Sequence, residues 1–350
     1  MTYTITKRLI IGGGGSAGHV LPSLRVAKYL KDEYSEIFYI GGKNSIEESI
    51  CKEYNVKFFA IKTAKFDRTQ KMKLPLAVFL NIYGVVQAYL IMQKIKPNAV
   101  FVSGGYASVP IVVAAKILGI RRIVMHVCDL SMGLSHKISI PFVTHITCTF
   151  LKTAETLKKG QFVGPIIAPV SNEESFKVIT NQLKPNLLVY GGSLGASAIN
   201  QKIRSSLKTI LIRYNVIHIC GKGNLDISLK DIDGYVQLEF VLNFQSIISQ
   251  TDFAICRGGS NSLWELVYAG IPHIAVPLPL SVSRGDQIEN CKYFSSEGVT
   301  KYIHQKQFME SNLIDELEKL VSSSTEIRKK MMKFMPEEDA QIVIKQILVY

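Results

Sequence analysis

Short apolar runs alternate with longer amphipathic segments along most of this chain. Continuous apolar runs are typical of strands that are buried on both faces of a sheet. They predict strands at residues 8–11, 37–40, 98–102, 122–126, 145–150, 187–190, 216–220, 236–240, 253–256 and 274–277. Helices are predicted between them, for example at 110–118 and 260–269, and two charged helices at 325–334 and 338–348 close the chain. This alternation predicts the α/β class, with parallel sheets that carry helices on both faces.

Two of the predicted strands run into glycine-rich turns that open a helix. The first strand continues into GGGGSAGH from Gly12, and the strand at 187–190 continues into GGSLGA from Gly191. Glycine lets backbone N–H groups approach an anion, and a helix N-terminus adds partial positive charge, so each turn is a candidate phosphate site. The alternative for either turn alone is close packing of helix on sheet with nothing bound. Two such turns, one in each half, favour two facing nucleotide-fold domains.

The first turn also fits a dinucleotide-binding fingerprint. Gly13, Gly15 and Gly18 have the spacing G-x-G-x-x-G. That interpretation requires an acidic residue at the end of the next strand, where it would hold the ribose. The strand at 37–40 is followed by GGKN instead, so an NAD enzyme is disfavoured although the fold class is not.

The length of the chain predicts two domains. A chain of 350 residues is too long for one ordinary core. We expect the boundary near Gly164 and Pro165, with a first domain at residues 1–165 and a second at 166–335. A C-terminal helix at 336–350 is expected to pack across the domain junction. Charged residues at 20% and aromatic residues at 9% exclude a mainly disordered chain.

The formal net charge of +13 requires an acidic counterpart. Nucleic acid, anionic lipid or a phosphorylated substrate would each serve. Nucleic acid ranks last, because the sequence has no zinc-finger spacing and no aromatic RNA-binding motif. The six cysteines are scattered without a C-x-x-C pair, so buried reduced thiols of a cytosolic protein are expected. The first strand follows the N-terminus directly, and no export signal is expected.

An apolar run at 74–92 follows a basic segment and is a candidate membrane contact. The run is nearly long enough to span a bilayer, but Pro75, Asn81, Gly84 and Gln87 interrupt it, so a spanning helix is disfavoured. We expect residues 85–95 to form an ordinary core helix. Residues 74–83 either continue that helix or expose an apolar patch to an anionic membrane. The predicted membrane patch consists of Lys71, Lys73, Leu74, Leu76, Phe79 and Leu80.

Ligands of parallel sheets bind at the carboxyl ends of the strands. Four loops there carry candidate chemistry, at residues 12–19, 126–129, 191–195 and 257–265. In the last loop, Ser260 is a candidate N-cap and Glu265 lies more than one turn into the helix. A carboxylate at that position can accept both hydroxyls of a ribose. Alternatively it lies on a solvated helix face, and spacing alone does not decide between the two.

Four motifs, taken in order, resemble the MurG family. They are GGGGSAGHV with Pro22, GGSLGA, CRGGS with Glu265, and PLPL running on to SRGDQIEN. The likeness extends from Leu9 to about Gly298 with family-like spacing. These enzymes are the N-acetylglucosaminyltransferases that complete the lipid-linked peptidoglycan precursor. The resemblance implies a GT-B fold, in which two Rossmann-like domains with parallel sheets face each other across a cleft.

The resemblance also implies an activity. The family moves N-acetylglucosamine from UDP-N-acetylglucosamine to the C4 hydroxyl of the muramic sugar on undecaprenyl diphosphate, with inversion and without a required metal or other cofactor. The implied partners are the UDP sugar, the lipid-linked muramyl peptide and an anionic membrane surface. The implied location is peripheral, at the cytoplasmic face of the plasma membrane. Asp231 and Asp233 spell the D-x-D of metal-dependent transferases, but they lie in a polar loop and are expected at the surface.

By the same likeness, the second domain holds the donor. Glu265 would bind the ribose, and Ser193 with the turn at Gly191 and Gly192 would bind the diphosphate. The remaining implied donor residues are Arg257, Gly259, Ser260, Gln287 and Asn290. The first domain would bind the acceptor through Gly14, Gly15, Ser16, Ala17, Gly18, Gly105 and His126.

Inverting transfer needs a base for the attacking hydroxyl and groups that stabilise the departing diphosphate. Helix N-termini and Arg257 are expected to supply the second without a cation. His19, at the mouth of the first glycine turn, is the expected base, and Asp129 is its rival. Isolated histidines are more often structural, and only its place in the motif favours His19 over His126, His145 and His218.

Two positions depart from the family pattern. The family has a glutamate where this chain has Val127, and a spacer and an arginine that the sequence from Gly164 to Ile167 lacks. Either nearby lysines compensate, or the activity is reduced or redirected to another lipid-linked acceptor. The alternatives are therefore a related GT-B enzyme with a different lipid or glycan acceptor, and a non-catalytic UDP-sugar-binding protein.

Overall fold

The computed structural model describes residues 7–65, 74–168, 183–192, 195–241, 243–336 and 339–350. The chain forms two compact units. Unit 1 consists of Met1–Ile166 with Pro336–Tyr350, and unit 2 consists of Ile167–Met335.

Unit 1 is built on a parallel sheet with helices on both faces. Its strands are β1 Arg8–Gly12, β2 Glu36–Gly42, β3 Lys57–Ile61, β4 Ala99–Val102, β5 Arg122–Val127, β6 His145–Cys148 and β7 Gly160–Phe162. Its helices are α1 Ala17–Tyr29, α2 Ile46–Glu53, α3 Leu74–Ile95, α4 Ser108–Ile117, α5 Leu134–Ser139 and α6 Leu151–Glu155, with the 3-10 helix Ile140–Phe142. The strand order is β3-β2-β1-β4-β5-β6-β7.

The apolar character of β1 follows from its place in the middle of this sheet. Its register puts Ile10 between Phe38 of β2 and Val100 of β4. Leu9 and Ile11 are fully buried on one face, and Ile10 is fully buried on the other. A strand that is covered on both faces has no solvent-facing position, so its sequence is a continuous apolar run.

Unit 2 repeats the same architecture. Its strands are β8 Asn186–Tyr190, β9 Asn215–Ile219, β10 Tyr235–Leu238, β11 Phe253–Cys256, β12 His273–Ala275 and β13 Lys301–Tyr302, in the order β10-β9-β8-β11-β12-β13. Its helices are α7 Ser197–Ser205, α8 Leu207–Ile210, α9 Phe244–Ile248, α10 Ser260–Tyr268, α11 Asp286–Ser296, α12 Gln305–Glu310 and α13 Leu313–Phe334, with the 3-10 helix Ile227–Leu229.

The predicted α/β class with parallel sheets is confirmed. All ten predicted strands overlap observed ones, and the charged helix expected at 325–334 is the second half of α13. Three strands were not predicted, namely β3, β7 and β13. All three are edge strands. Most of their residues are only partly buried or exposed, so they lack the apolar run that marks a central strand.

The C-terminal helix, α14 Ala340–Val349, belongs to unit 1. Tyr34 donates a hydrogen bond from its hydroxyl to the Leu348 carbonyl at 2.7 Å, and Lys345 forms an ion pair with Glu33 at 2.5 Å. Ile344 and Leu348 are buried in the same core cluster as β1. The last part of the chain therefore completes the core of the first unit.

Helix α3 has one face towards the unit and one exposed face along its length. The prediction had divided the helix instead into a membrane end and a core end. Three of the four residues that interrupt its apolar run face the unit, and Pro75 is exposed. Asn81 accepts a hydrogen bond from Thr63 at 2.9 Å, and Gln87 accepts one from the Lys62 amide at 2.7 Å. A Cβ on Gly84 would overlap the Lys62 carbonyl. The opposite face is exposed along the helix and carries Leu76, Phe79, Ile82, Tyr83, Val86 and Leu90.

We call these six residues the apolar stripe. Apart from the adjacent pair Ile82 and Tyr83, successive members are three or four residues apart, which places them on one face of a helix. Phe79 is 64% exposed and Leu90, in the part predicted to be core, is 50% exposed. Lys71 and Lys73 of the predicted patch lie outside the described residues, as does the side chain of Leu74. By length and composition alone, Pro75–Ile95 is the one helix of the described ranges that could cross a membrane, with 28% of its most apolar stretch buried.

All six cysteines are buried and none forms a disulfide, as predicted.

Candidate functional site

The first glycine turn lies at the point where the strand order of unit 1 reverses. β1 and β4 are neighbours there, and their carboxyl ends are joined by backbone hydrogen bonds. The Ser103 amide donates to the Gly12 carbonyl at 3.1 Å, and the Gly14 amide donates to the Gly104 carbonyl at 3.1 Å. Such reversal points are where ligands of open α/β sheets bind. The turn after β4, at residues 103–106, is therefore the second wall of this site.

The close contact between the two turns requires a glycine at position 105. Its φ is +81°, and a Cβ on it would overlap the Gly14 carbonyl. A side chain at this position would separate the two turns. Gly105 is therefore a structural requirement of the site, in addition to any contact with a ligand.

His19 is held by the backbone of the second turn. Its Nδ1 lies 3.0 Å from the Ser103 carbonyl oxygen. A carbonyl only accepts, so Nδ1 carries a proton, and among the neutral tautomers the contact favours the one whose Nε2 is the acceptor. The His136 ring lies edge-on to His19, with ring centroids 6.0 Å apart. His19 itself is half-buried. It is thus an imidazole whose orientation is set by the Ser103 carbonyl.

His126 has a different environment from His19. It is fully buried on β5, and its two ring nitrogens contact the hydroxyls of Thr147 at 3.0 Å and Thr149 at 2.9 Å. Burial lowers the pKa of His126 to about 3, so the ring is neutral. We therefore place His126 in the core of the sheet, hydrogen-bonded to its neighbours and away from solvent. Val127 beside it is fully buried in the same core, whereas Asp129 is half-buried in the following loop.

The amides of the predicted acceptor turn fall into two groups. Those of Gly14 and Gly15 are engaged inside the unit, the first by Gly104 and the second by the Glu47 carboxylate at 3.4 Å. Ser16 is the exposed N-cap of α1 and makes no capping bond through its side chain. Ala17 and Gly18 form the first turn of that helix. An anion at this turn would therefore meet the helix N-terminus at residues 16–18.

In unit 2 the second glycine turn occupies the equivalent reversal point, between β8 and β11. A Cβ on Gly191 would overlap that of Ala196, and a Cβ on Gly195 would overlap the Cys220 carbonyl. Gly192 has φ +89° and open space around it. Ser193, expected at the diphosphate, lies outside the described residues.

Arg257 follows β11 and is 8% exposed. Its Nη1 donates to the carbonyl oxygens of Val276 at 3.0 Å and Pro277 at 3.4 Å. Burial lowers the pKa of Arg257. Its Nε is buried without a hydrogen-bond partner among the residues the structure describes. Arg257 thus ties the end of β11 to the loop after β12, and only the remaining part of its guanidinium is left for a ligand.

Glu265 is positioned by the first turns of α10. The helix begins at Ser260 with Gly259 as N-cap, and the Tyr190 hydroxyl donates to the Ser262 carbonyl at 3.3 Å. Glu265 is 8% exposed, so it does not lie on the solvated face that was its alternative. Burial raises the pKa of the Tyr190 phenol well above its usual range, and the nearby charges of Cys256 and Glu265 raise it further. Glu265 and Tyr190, the last residue of β8, thus belong to one buried region of unit 2.

Gln287 and Asn290 hold the neighbouring loops in place. Gln287 Oε1 accepts from the Leu278 amide at 3.0 Å. Asn290 is fully buried and donates to the Gly258 carbonyl at 3.3 Å. Both residues thus connect α11 to the loops after β11 and β12, close to where the donor is expected.

Asp231 and Asp233 are exposed, as expected. Within the described ranges, no group of three histidine, cysteine or acidic side chains could hold a metal ion.

The sequence interpretation did not find Glu47, Ser103, Tyr106 or His136. Ser103 and Tyr106 follow β4, so the rule that ligands bind at strand ends would have found them. His136 lies on α5, and a Cβ on Gly104 would overlap its ring. Glu47 and His136 carry no local signal, because they approach the turn only through tertiary packing.

Two family models match the chain. The N-terminal domain of glycosyltransferase family 28 matches residues 9–148, and the C-terminal domain of the same family matches residues 186–347. Curated relatives match at full length. Proteins from Clostridium botulinum and Oceanobacillus iheyensis are each 36% identical over 97% of this chain, and cover 97% and 98% of their own lengths. Both are named UDP-N-acetylglucosamine--N-acetylmuramyl-(pentapeptide) pyrophosphoryl-undecaprenol N-acetylglucosamine transferase.

Solved structures agree on the fold. The crystal structure of Acinetobacter baumannii MurG matches 97% of this chain and 99% of its own, with a TM-score of 0.71 at 23% identity. The calicheamicin glycosyltransferase CalG4 matches 98% of this chain and 95% of its own, with a TM-score of 0.69 at 14% identity. The two parallel α/β units are therefore those of a GT-B fold.

Proposed function

The chain belongs to glycosyltransferase family 28 and, within it, to the MurG family, and we propose that it transfers N-acetylglucosamine from UDP-N-acetylglucosamine to the N-acetylmuramyl-(pentapeptide) pyrophosphoryl-undecaprenol acceptor. The acceptor C4 hydroxyl oxygen forms a bond to the anomeric carbon of the donor. The bond from that carbon to the diphosphate breaks with inversion, and UDP leaves with the electron pair. The hydroxyl proton passes to a base on the enzyme.

One observation carries this proposal: relatives with that name share 36% of their residues with this chain over 97% of its length. Both domains of the family are thus represented, which a shared binding module alone would not require. The glycine turns at the reversal points of both sheets support the proposal, because each sheet offers a site for an anionic ligand.

We assign the base to His19. Its Nδ1 proton is held by Ser103, so Nε2 is the nitrogen that accepts a proton from a hydroxyl. Asp129 remains the rival base. The acceptor diphosphate would be bound at residues 16–18, at the N-terminus of α1.

We assign the donor to unit 2. Glu265 would accept both ribose hydroxyls, and the turn at Gly191, Gly192 and Ser193 would bind the diphosphate. Gly259 and Ser260 would lie near the nucleotide, with Gln287 and Asn290 near the transferred sugar. Backbone amides and helix N-termini would stabilise the charge that develops on the departing diphosphate, with the free side of Arg257 beside them.

The proposed location is the cytoplasmic face of the plasma membrane, where the chain binds peripherally through the apolar stripe. The acceptor is a lipid, so the enzyme has to work at a bilayer surface. Lys62 lies over the Tyr83 ring at 5.5 Å, which puts a cation beside the stripe. The net charge of +13 favours an anionic surface.

The test is a transfer assay with full-length protein, radiolabelled UDP-N-acetylglucosamine and the lipid-linked muramyl pentapeptide. We expect label in the lipid product and equimolar release of UDP. Transfer only to a different lipid-linked or glycan acceptor would replace this substrate with another. Such acceptors are included in the assay because Val127 stands where the family has a carboxylate. Donor binding by calorimetry without transfer to any acceptor would contradict the enzyme and leave a UDP-sugar-binding protein.

A further inference from the structure

A buried carboxylate lies directly behind the first glycine turn. Glu47 is 0% exposed and belongs to the first turn of α2. Its Oε1 accepts from the Gly42 amide at 3.0 Å, and its Oε2 accepts from the Gly15 amide at 3.4 Å. One side chain thus joins the end of β2 to the turn after β1.

Glycines on both sides make room for this side chain. A Cβ on Gly14 would lie 2.5 Å from Glu47 Oε1, and a Cβ on Gly41 would lie 2.7 Å from Glu47 Cγ. Real Cβ atoms do not approach other atoms so closely, so any larger residue would displace the carboxylate. Some of the glycines around the predicted phosphate turn are therefore required by the Glu47 carboxylate and not by a bound phosphate.

The charge of Glu47 is supported locally. The helix N-terminus of α2 adds partial positive charge at its first turn, and two amide donors face the carboxylate oxygens. Burial raises the pKa of Cys51 to about 12 and also raises the pKa of Tyr106, and the nearby charge of Glu47 raises both further. Tyr106 in turn lies against the turn, since a Cβ on Gly15 would come 2.8 Å from its ring.

We propose that Glu47 is a positioning residue, whose carboxylate holds the Gly12–Gly18 turn in the shape that binds the acceptor. By engaging the Gly15 amide from behind, it leaves the N-terminus of α1 as the part of the turn that faces an external anion. Glu47 touches no substrate, and its role is exerted through the turn. This inference rests on the proposed function for its kinetic consequences, but not for its effect on the turn itself.

Two substitutions distinguish positioning from a purely electrostatic effect. Glu47→Gln has the same shape, but its amide group would put an N–H donor against one of the two backbone donors. Glu47→Asp keeps the charge and both oxygens but is one methylene too short to reach both amides. Glu48→Gln is the matched control, because Glu48 is the next residue of the same helix and accepts from the exposed Asn44 amide at 2.8 Å.

The experiment measures steady-state kinetics for both substrates, and hydrogen exchange of the peptide that covers residues 12–19. We expect both Glu47 variants to lose about 10- to 100-fold in kcat/KM for the acceptor, since small displacements of a binding group cost that much. The KM for UDP-N-acetylglucosamine should stay unchanged, and the turn should exchange faster than in Glu48→Gln.

Four results would overturn the proposal. Acceptor kinetics of Glu47→Gln within twofold of wild type would do so. Tighter acceptor binding by that variant would show that the carboxylate only repels the diphosphate. Wild-type kinetics of Glu47→Asp would show that charge alone suffices. If the wild-type protein transfers no sugar, the proposed function fails, while unchanged exchange of the turn in both variants would still refute the role of Glu47.

Discussion

The Nδ1 atom of His19 lies 3.0 Å from the backbone carbonyl oxygen of Ser103. Ser103 is the first residue after β4, and its hydroxyl in turn donates to the His19 carbonyl. Each of the two residues thus accepts a hydrogen bond from the other through its backbone carbonyl. Because a carbonyl can only accept, the contact selects the imidazole tautomer whose Nε2 is basic.

We predict that His19→Ala lowers kcat by about 10²- to 10⁴-fold, the usual contribution of a general base. Thermal protection by UDP should remain, because Glu265 and the second glycine turn belong to unit 2. His19→Asn should be equally inactive, although its amide can still donate towards Ser103. His145→Ala is the control, since His145 is exposed. Normal turnover by His19→Ala would move the assignment to Asp129.

Removal of Glu265 should act on the donor alone. We expect Glu265→Ala to weaken UDP binding at least tenfold, because hydrogen bonds to a charged group contribute about 1.5–3 kcal/mol each. Calorimetry with UDP measures this directly, and the exposed Glu297→Ala provides the control. Unchanged UDP affinity would show that the carboxylate of Glu265 does not bind the ribose.

The apolar stripe should govern binding to vesicles. Leu76, Phe79 and Ile82 are 58%, 64% and 60% exposed. Burial of such side chains in a membrane interface contributes about 1.5–3 kcal/mol each at most. We expect the triple change to serine to reduce co-sedimentation with anionic vesicles at least tenfold, with transfer to a soluble acceptor analogue retained. Ile212→Ser is the control, because it also removes an exposed apolar side chain but lies in unit 2, and this variant should bind the vesicles normally.

A second vesicle experiment tests the charge of the preceding segment. Changing Lys71 and Lys73 to Glu should weaken binding to anionic vesicles and should have little effect with neutral ones. Equal binding of the wild-type and charge-reversed proteins to anionic vesicles would contradict an electrostatic contribution from this segment.

Buried neutral histidines should make the protein sensitive to acid. Burial lowers the pKa of His126 and His218 to about 3 and that of His273 to about 4, from an ordinary value of 6.5. Below 6.5 the unfolded chain binds protons that the folded chain does not, so stability is lost as the pH falls from about 6.5 towards 3. Between pH 6.5 and 5 the loss is about 2 kcal/mol for each histidine.

This prediction is checked by denaturant unfolding across that range. His126→Gln should be less stable than wild type near pH 7.5, because it disturbs the Thr147 and Thr149 contacts, and its stability should fall less steeply with acid. The exposed His145→Gln should keep the wild-type slope. An identical slope in His126→Gln would contradict a neutral buried imidazole.

Much of the fold follows from local sequence. Central strands such as β1 and β11 are continuous apolar runs because helices cover both faces of the sheet. The two turns contain glycine because the backbone at Gly15 and Gly195 has a positive φ and close neighbours. These features depend on a few consecutive residues, so periodicity and turn chemistry were enough to predict them. Edge strands such as β3 lack the second covered face and escaped prediction.

What the sequence determined by itself was the alternation of central strands with helices, the two glycine turns and the family resemblance that those motifs carry. Only the tertiary structure decided that His126 is buried while His19 is oriented by Ser103, that α3 is exposed along one face, and that Glu47 lies behind the turn. The physical reason is distance along the chain. Ser103 lies 84 residues from His19 and Glu47 lies 32 residues from Gly15, so these contacts exist only once the strands have aligned in the sheet.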